Sequence, residues 1–173
     1  MIDLSRYIRD VPDFPRKGIL FKDITPLLHD PEALEATVDE MSRRMPRPEA
    51  IVAVESRGFV FGAGLALRWH TPLVLVRKFG KLPGRTVREG YALEYGNDML
   101  EIHADALRPG QGAVIVDDLL ATGGTAAAAA NLVEKLEARV LAMVFLIELT
   151  GLGGRERLKG RTVETLLQFE VEE

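Results

Sequence analysis

Two short apolar runs, Ala50-Ile51-Val52-Ala53-Val54 and Pro72-Leu73-Val74-Leu75-Val76, are rich in β-branched residues, and each is followed by charge. Such runs predict strands buried on both faces. Between them, Gly58 to Trp69 is apolar and long enough for a helix. The scheme repeats downstream. Ala113-Val114-Ile115-Val116 stops at Asp117-Asp118, an alanine-rich stretch runs from Thr125 to Leu136, and a further apolar run covers Val140 to Ile147. Strand, helix, strand recurring twice predicts an α/β fold with a mainly parallel sheet covered on both faces and a ligand crevice at the strands' C-terminal ends. The polar residues that close each run are therefore the candidates for chemistry.

Other segments follow different rules. Asp30-Pro31-Glu32 reads as an N-cap, a proline at the first helical position and an acid in the first turn. It predicts a helix to about Met45, with Leu34, Val38, Met41 and Met45 facing the sheet. Lys78 to Gly96 holds Gly80, Pro83, Gly84, Gly90 and Gly96 among charges, with no clear period. It is expected to be a long excursion or lid, and loops of that length in a small domain are usually functional. Trp69 and Met143 are expected in the core.

Composition narrows the chemistry. A chain of 173 residues suits one domain, here taken as 1–173, and at this size roughly 70% of the unfolded surface can be buried without a staple. Without cysteine, thiolate metal sites, disulfides and cysteine nucleophiles are excluded. A net charge of -4 argues against a general nucleic-acid surface while leaving room for a local basic pocket. Val140 to Ile147 is too short to span a bilayer. The charged start Met1-Ile2-Asp3-Leu4-Ser5-Arg6 is unlike a secretory leader, so no membrane and a cytoplasmic location are expected. His29, His70 and His103 are scattered and receive no role.

The strongest local signal is Val114-Ile115-Val116-Asp117-Asp118-Leu119-Leu120-Ala121-Thr122-Gly123-Gly124-Thr125. A buried strand delivers two adjacent carboxylates, and a turn rich in Gly and Thr then opens a helix. Backbone N–H groups in such a turn, together with the helix N-terminus, favour a phosphate. Neither the lysine of a Walker A loop nor a Gly-x-Gly-x-x-Gly turn is present, which argues against nucleoside triphosphates and dinucleotides. Two carboxylates before a phosphate cradle suit the two hydroxyls of a ribose 5-phosphate.

This segment resembles the phosphoribosyl-pyrophosphate loop of the type I phosphoribosyltransferases. Phe14 to Pro26, Glu55-Ser56-Arg57-Gly58-Phe59, Arg77-Lys78-Phe79-Gly80-Lys81-Leu82-Pro83 and Leu93-Glu94-Tyr95-Gly96 together are similar to the adenine phosphoribosyltransferase family, over Phe14 to about Leu149. The resemblance implies the type I phosphoribosyltransferase fold, a central mainly parallel sheet flanked by helices with a flexible lid loop and a small hood. It also implies a homodimer with no nucleic-acid partner. The implied activity is a glycosyltransferase of purine salvage, converting adenine and phosphoribosyl pyrophosphate to AMP and pyrophosphate with Mg2+.

Residue by residue, the resemblance gives Asp117 and Asp118 to the ribose hydroxyls and Ala121, Thr122, Gly123, Gly124 and Thr125 to the 5-phosphate. Ser56, Arg57, Arg77 and Lys81 would take the pyrophosphate, with a cis peptide in the loop before Arg57. Glu94 would exchange a proton with the purine, Leu20 and Lys22 would offer backbone groups to its edge, and Phe21 would stack on it. Mg2+ prefers oxygen ligands and keeps its waters, so it is expected on the substrate's own diphosphate and diol, with no direct protein ligand assigned. Two other readings share the phosphate loop: a transferase for xanthine, guanine or orotate, and a non-catalytic sensor of phosphoribosyl pyrophosphate. The second usually carries an added nucleic-acid-binding domain, for which this chain leaves no room.

Overall fold

The computed structural model describes residues 2–93 and 96–171. Their contacts gather into two units, residues 1–40 and 41–173, where the sequence shows no boundary. In the first unit, β1 (Arg9–Pro12) pairs antiparallel with β2 (Leu20–Asp23), setting Asp10 opposite Lys22 and Val11 opposite Phe21. The turn between them contains a cis Phe14–Pro15 bond. A short helix, α1 (Thr25–His29), precedes α2 (Pro31–Arg43), which runs across the junction.

α2 starts as its sequence predicts. Asp30 Oδ1 accepts the N–H groups of Glu32 and Ala33, each at 3.0 Å, satisfying two of the donors left over at a helix start. The buried stripe differs: it is Ala33, Thr37 and Met41, with Leu34 and Val38 half-buried. Thr37 hides its hydroxyl by donating to the Ala33 carbonyl oxygen at 2.8 Å. Hydrophobic spacing alone passes over a threonine that satisfies itself in this way.

In the second unit the apolar runs become the middle of a seven-stranded sheet. β3 (Ala50–Val54) is buried at every position, and α3 (Gly58–Trp69) leads to β4 (Leu73–Lys78). β5 (Thr86–Leu93) and β6 (Gly96–His103) follow, and β7 (Gly112–Leu120), α4 (Gly124–Lys135) and β8 (Arg139–Thr150) repeat the strand, helix, strand scheme. A one-turn helix, α5 (Gly154–Arg157), and β9 (Val163–Glu170) complete the unit. The order across the sheet is β5-β6-β4-β3-β7-β8-β9. Strands from β4 to β9 pair in parallel, while β6 is antiparallel to both β4 and β5. Among the described residues no helix is long and apolar enough to cross a membrane.

Three expectations change. Among the described residues from Lys78 to Gly96, only 79 to 85 form a loop, and the others lie in strands. Val87 and Tyr91 pack against the core, with the exposed Arg88 and Gly90 on the alternate positions, so a period of two is present but broken by glycine and charge. The β7 strand does not stop at the acids but continues to Leu120. Trp69 is half-buried, whereas Met143 is in the core.

Candidate active site

The site opens where two central strands part. β3 pairs with β7 as far as Ala53 opposite Val116, while β7 stays paired with β8 up to Leu120 opposite Glu148. β7 therefore runs on past β3 through Asp117, Asp118, Leu119 and Leu120. The turn after β3 brings Glu55, Ser56 and Arg57 to the same place, its Glu55–Ser56 bond being cis in the loop that leads to Arg57. Between them lies a cavity of 540 Å³ that also takes in Lys78, Tyr91, Asp98 and the turn from Ala121 to Ala126.

Glycine is demanded at two points around it. α3 begins so close to β7 that a Cβ on Gly58 would lie 2.8 Å from the Val116 carbonyl oxygen and 2.9 Å from Asp117 Oδ1. The carboxylates leave the sheet against that first turn of helix. Gly123 caps α4 with φ +78°, a left-handed conformation that favours glycine. The turn it closes points the helix N-terminus at the cavity.

On the floor, Asp118 is only 5% exposed and Asp117 is half-buried. Asp118 Oδ2 lies 2.7 Å from Arg57 Nε, and Asp117 Oδ1 accepts the Asp118 N–H at 2.9 Å. Burial pushes the Asp117 carboxyl well above the usual aspartate range, and the neighbouring Asp118 charge adds to it. Burial also raises Asp118, although Arg57 pulls it back.

On the rim the balance reverses. Asp98 accepts from Tyr91 Oη at 3.2 Å and pairs with Lys78 Nζ at 3.2 Å. Its burial works upward, but the Met99 N–H and Lys78 together hold the carboxyl below its usual range. Glu55 takes Arg77 on both oxygens at 3.1 and 3.2 Å, and with the Lys78 N–H these bonds outweigh its own burial. Burial raises the Tyr91 phenol, and the neighbouring Asp98 adds to it, against a hydrogen bond with Thr125.

A phosphoribosyl transferase domain matches residues 28–166 of the chain. An adenine phosphoribosyltransferase of Carboxydothermus hydrogenoformans is 52% identical over 97% of this chain and 100% of its own length. The Thermotoga maritima adenine phosphoribosyltransferase is 51% identical over 97% of this chain and 98% of its own. Among solved structures, an adenine phosphoribosyltransferase of Thermoanaerobacter pseudethanolicus superposes with a TM-score of 0.93 at 49% identity, covering 96% of this chain and 98% of that one. The chain belongs to the adenine phosphoribosyltransferase family. It carries the family's type I fold in the seven-stranded sheet and its flanking helices.

Of the residues that the sequence nominates, Asp117, Asp118, Ser56, Arg57 and Ala121 to Thr125 line one cavity. Arg77 and Lys81 are not among its lining residues. Alternation along β4 puts Val74, Val76 and Lys78 on one face and Arg77 on the other, where Arg77 is held by Glu55 and by the Lys81 carbonyl oxygen at 3.1 Å. Lys81 is exposed on a turn whose N–H groups, with that of Leu82, bind the buried Glu101 carboxylate at 3.0 and 2.9 Å. Leu20, Phe21 and Lys22 lie on β2 in the first unit. There Phe21 meets Phe14 edge-on at 5.1 Å, and Lys22 Nζ binds Asp10 Oδ1 at 2.6 Å. Glu94 lies outside the described residues. Lys78, Tyr91 and Asp98 are lining residues that sequence reasoning missed, and period-two alternation was the signal that could have found them.

Proposed function

We propose that the chain transfers the ribose 5-phosphate of phosphoribosyl pyrophosphate to adenine, releasing pyrophosphate and forming AMP in purine salvage. The carrying observation is that the half-buried Asp117 and the buried Asp118, at the end of β7, share one cavity with the glycine turn and the start of α4 that follow them. The relatives supply its context. The Saccharomyces cerevisiae enzyme has been crystallised with an imino-altritol bisphosphate and adenine, and that of Trypanosoma brucei with AMP, pyrophosphate and ribose 5-phosphate.

In this reading the N–H groups of Ala121 to Thr125 hold the 5-phosphate at the helix N-terminus. Asp117 and Asp118 accept from the ribose hydroxyls and sit beside the positive charge that grows at the anomeric carbon. Ser56 and Arg57 receive the leaving diphosphate, with Arg77 and Lys81 nearby in sequence, and the missed Lys78 adds a cation on the cavity wall. Leu20 and Lys22 present backbone groups to the base, Phe21 offers its ring, and Glu94 moves the proton. The whole chain, 1–173, acts as one catalytic domain.

The donor set suits a Mg2+ ion that arrives with the substrate. Among the described residues no three His, Asp or Glu side chains gather as a cage, and Glu55, Asp98 and Asp118 already have protein cations as partners. When bound, such an ion neutralises diphosphate charge. A cytoplasmic location and a homodimer belong to the same reading. Exposed Val60, Leu67 and Leu73 on α3 and the start of β4 support a second copy, Leu67 being 78% exposed.

The test is a spectrophotometric assay with phosphoribosyl pyrophosphate, Mg2+ and each of adenine, guanine, hypoxanthine, xanthine and orotate. Turnover with adenine is expected. Preference for another base would overturn the reading.

A further inference from the structure

Gly154 and Arg155 take no part in the site as described, yet the Gly154 backbone lies directly against the phosphate turn. A Cβ on Gly154 would lie 2.2 Å from the Ala121 carbonyl oxygen, and one on Gly123 would lie 2.8 Å from the Gly154 carbonyl oxygen. Backbone thus rests on backbone, and the turn from Ala121 to Gly123 has Gly154 as its outer wall.

That wall is fastened by one side chain. Arg155 donates through Nε to Glu148 Oε1 at 2.9 Å and through Nη2 to Glu148 Oε2 at 2.7 Å. Its Nη1 also donates to the Val163 carbonyl oxygen at 3.0 Å. Glu148 is 5% exposed and accepts further bonds from Thr165 Oγ1 and Gln168 Nε2, each at 3.0 Å. The Arg155 guanidinium holds its carboxyl below the usual glutamate range. In the sheet Glu148 stands beside Leu120, the last β7 residue before the phosphate turn. The contacts therefore close a ring: β7, phosphate turn, Gly154, Arg155, Glu148, and back to β7.

We propose that Gly154 and Arg155, with Glu148 as anchor, are positioning residues for the 5-phosphate. They act through the Ala121 to Thr125 backbone and touch no substrate themselves. A cradle of N–H groups works only while its donors stay aimed, and a displacement near 1 Å is enough to lose most of its grip. The bidentate fork matters for this role, because a lysine supplies the charge without the fixed geometry. The inference rests on the reading that this turn holds a 5-phosphate.

The experiment titrates ribose 5-phosphate and AMP against wild type, Arg155→Ala, Arg155→Lys and Gly154→Ala, with circular dichroism to establish folding. The same proteins are assayed for the KM values of adenine and pyrophosphate. Arg155→Ala is expected to weaken both phosphorylated ligands about 10- to 100-fold while moving the adenine and pyrophosphate values less than about twofold. Arg155→Lys should fall between it and wild type, and Gly154→Ala should weaken binding at least as much as Arg155→Ala. A folded Arg155→Ala variant that keeps wild-type ribose 5-phosphate affinity, or that loses adenine and pyrophosphate equally, would overturn the proposal. Binding of ribose 5-phosphate needs no base. A wild type that holds it without converting adenine would therefore defeat the proposed function, and the ratio between wild type and Arg155→Ala would still decide the buttress.

Discussion

The floor and the rim of the cavity use the same side chains to opposite ends. On the floor, burial drives the Asp117 and Asp118 carboxyls above their usual range, and Arg57 with nearby backbone N–H groups offsets it only in part. On the rim, Glu55 and Asp98 are also buried to a degree, but Arg77, Lys78 and backbone N–H groups hold them below theirs. Rim charges are already balanced by the protein. Floor charges are balanced only in part by the described residues, and in the proposed reading a ligand that brings hydroxyl donors and developing positive charge completes them. In the proposed reading the difference separates groups that shape the cavity from groups that meet the substrate.

The sharpest way to break this contrast is to neutralise the floor. Asp117→Asn and Asp118→Asn should each lower turnover about 10- to 150-fold, the loss of one charged hydrogen bond worth about 1.5–3 kcal/mol. Asp117→Asn should not cost stability at neutral pH, because it removes a carboxylate that burial and the Asp118 charge both disfavour. Its melting temperature should hold or rise, about 2–4 °C for each kcal/mol regained. Steady-state kinetics beside thermal melts distinguish the cases. A variant that melts early and turns over normally would show that Asp117 serves the fold.

A second, smaller effect comes from pH. The floor carboxyls titrate above the ordinary aspartate range, and the native state there holds more protons than the unfolded chain. Their contribution to stability therefore grows as pH falls through that raised window and shrinks as pH rises through it. In the proposed reading activity runs the other way, since an ionised carboxylate is the stronger acceptor for a hydroxyl and alone carries the charge that faces the developing cation. The acid limb of kcat/KM, which reports the free enzyme, should lie above the usual aspartate range. Arg57→Ala should move the limb higher by removing a cation that lowers Asp118, with a loss at neutral pH of up to about tenfold. A limb at the ordinary carboxylate position, unmoved in Arg57→Ala, would defeat the account of the floor.

The floor was the more legible half in sequence. Ala50 to Val54 and Ala113 to Val116 are continuous apolar runs whose polar ends fall together once the strands pair in parallel, and Gly123 and Gly124 mark the turn outright. The rim was not. β5 sits at the sheet edge with β6 beside it, and Gly90 and the charges of Arg88 and Glu89 hide the β5 alternation. Arg77 and Lys78 stand side by side in the sequence, whereas the strand sends them to opposite faces, and only Lys78 lines the cavity. The Glu148–Arg155 pair was invisible for another reason: it links positions whose meeting depends on how α5 folds back onto β8.

The smallest predicted effect tests whether rim and floor are independent. Glu89 on β5 binds Asn131 Nδ2 at 2.7 Å and Lys135 Nζ at 2.5 Å, tying the rim to α4, the helix whose first turn forms the cradle. Lys135 holds the Glu89 carboxyl below its usual value, so the contribution is present above the ordinary glutamate range and lost as pH falls through the lowered one. Because the Lys135 side chain is 46% exposed, solvent screens the pair and leaves about 0.2–1 kcal/mol. Lys135→Ala should therefore lower the melting temperature by no more than about 4 °C, and the difference should shrink in high salt. Turnover should stay within about twofold of wild type, since the Asn131 bond and the β5–β6 pairing remain to hold the rim. A tenfold loss of turnover in a variant that melts normally would mean that the cradle depends on the rim, and the two regions would have to be treated as one.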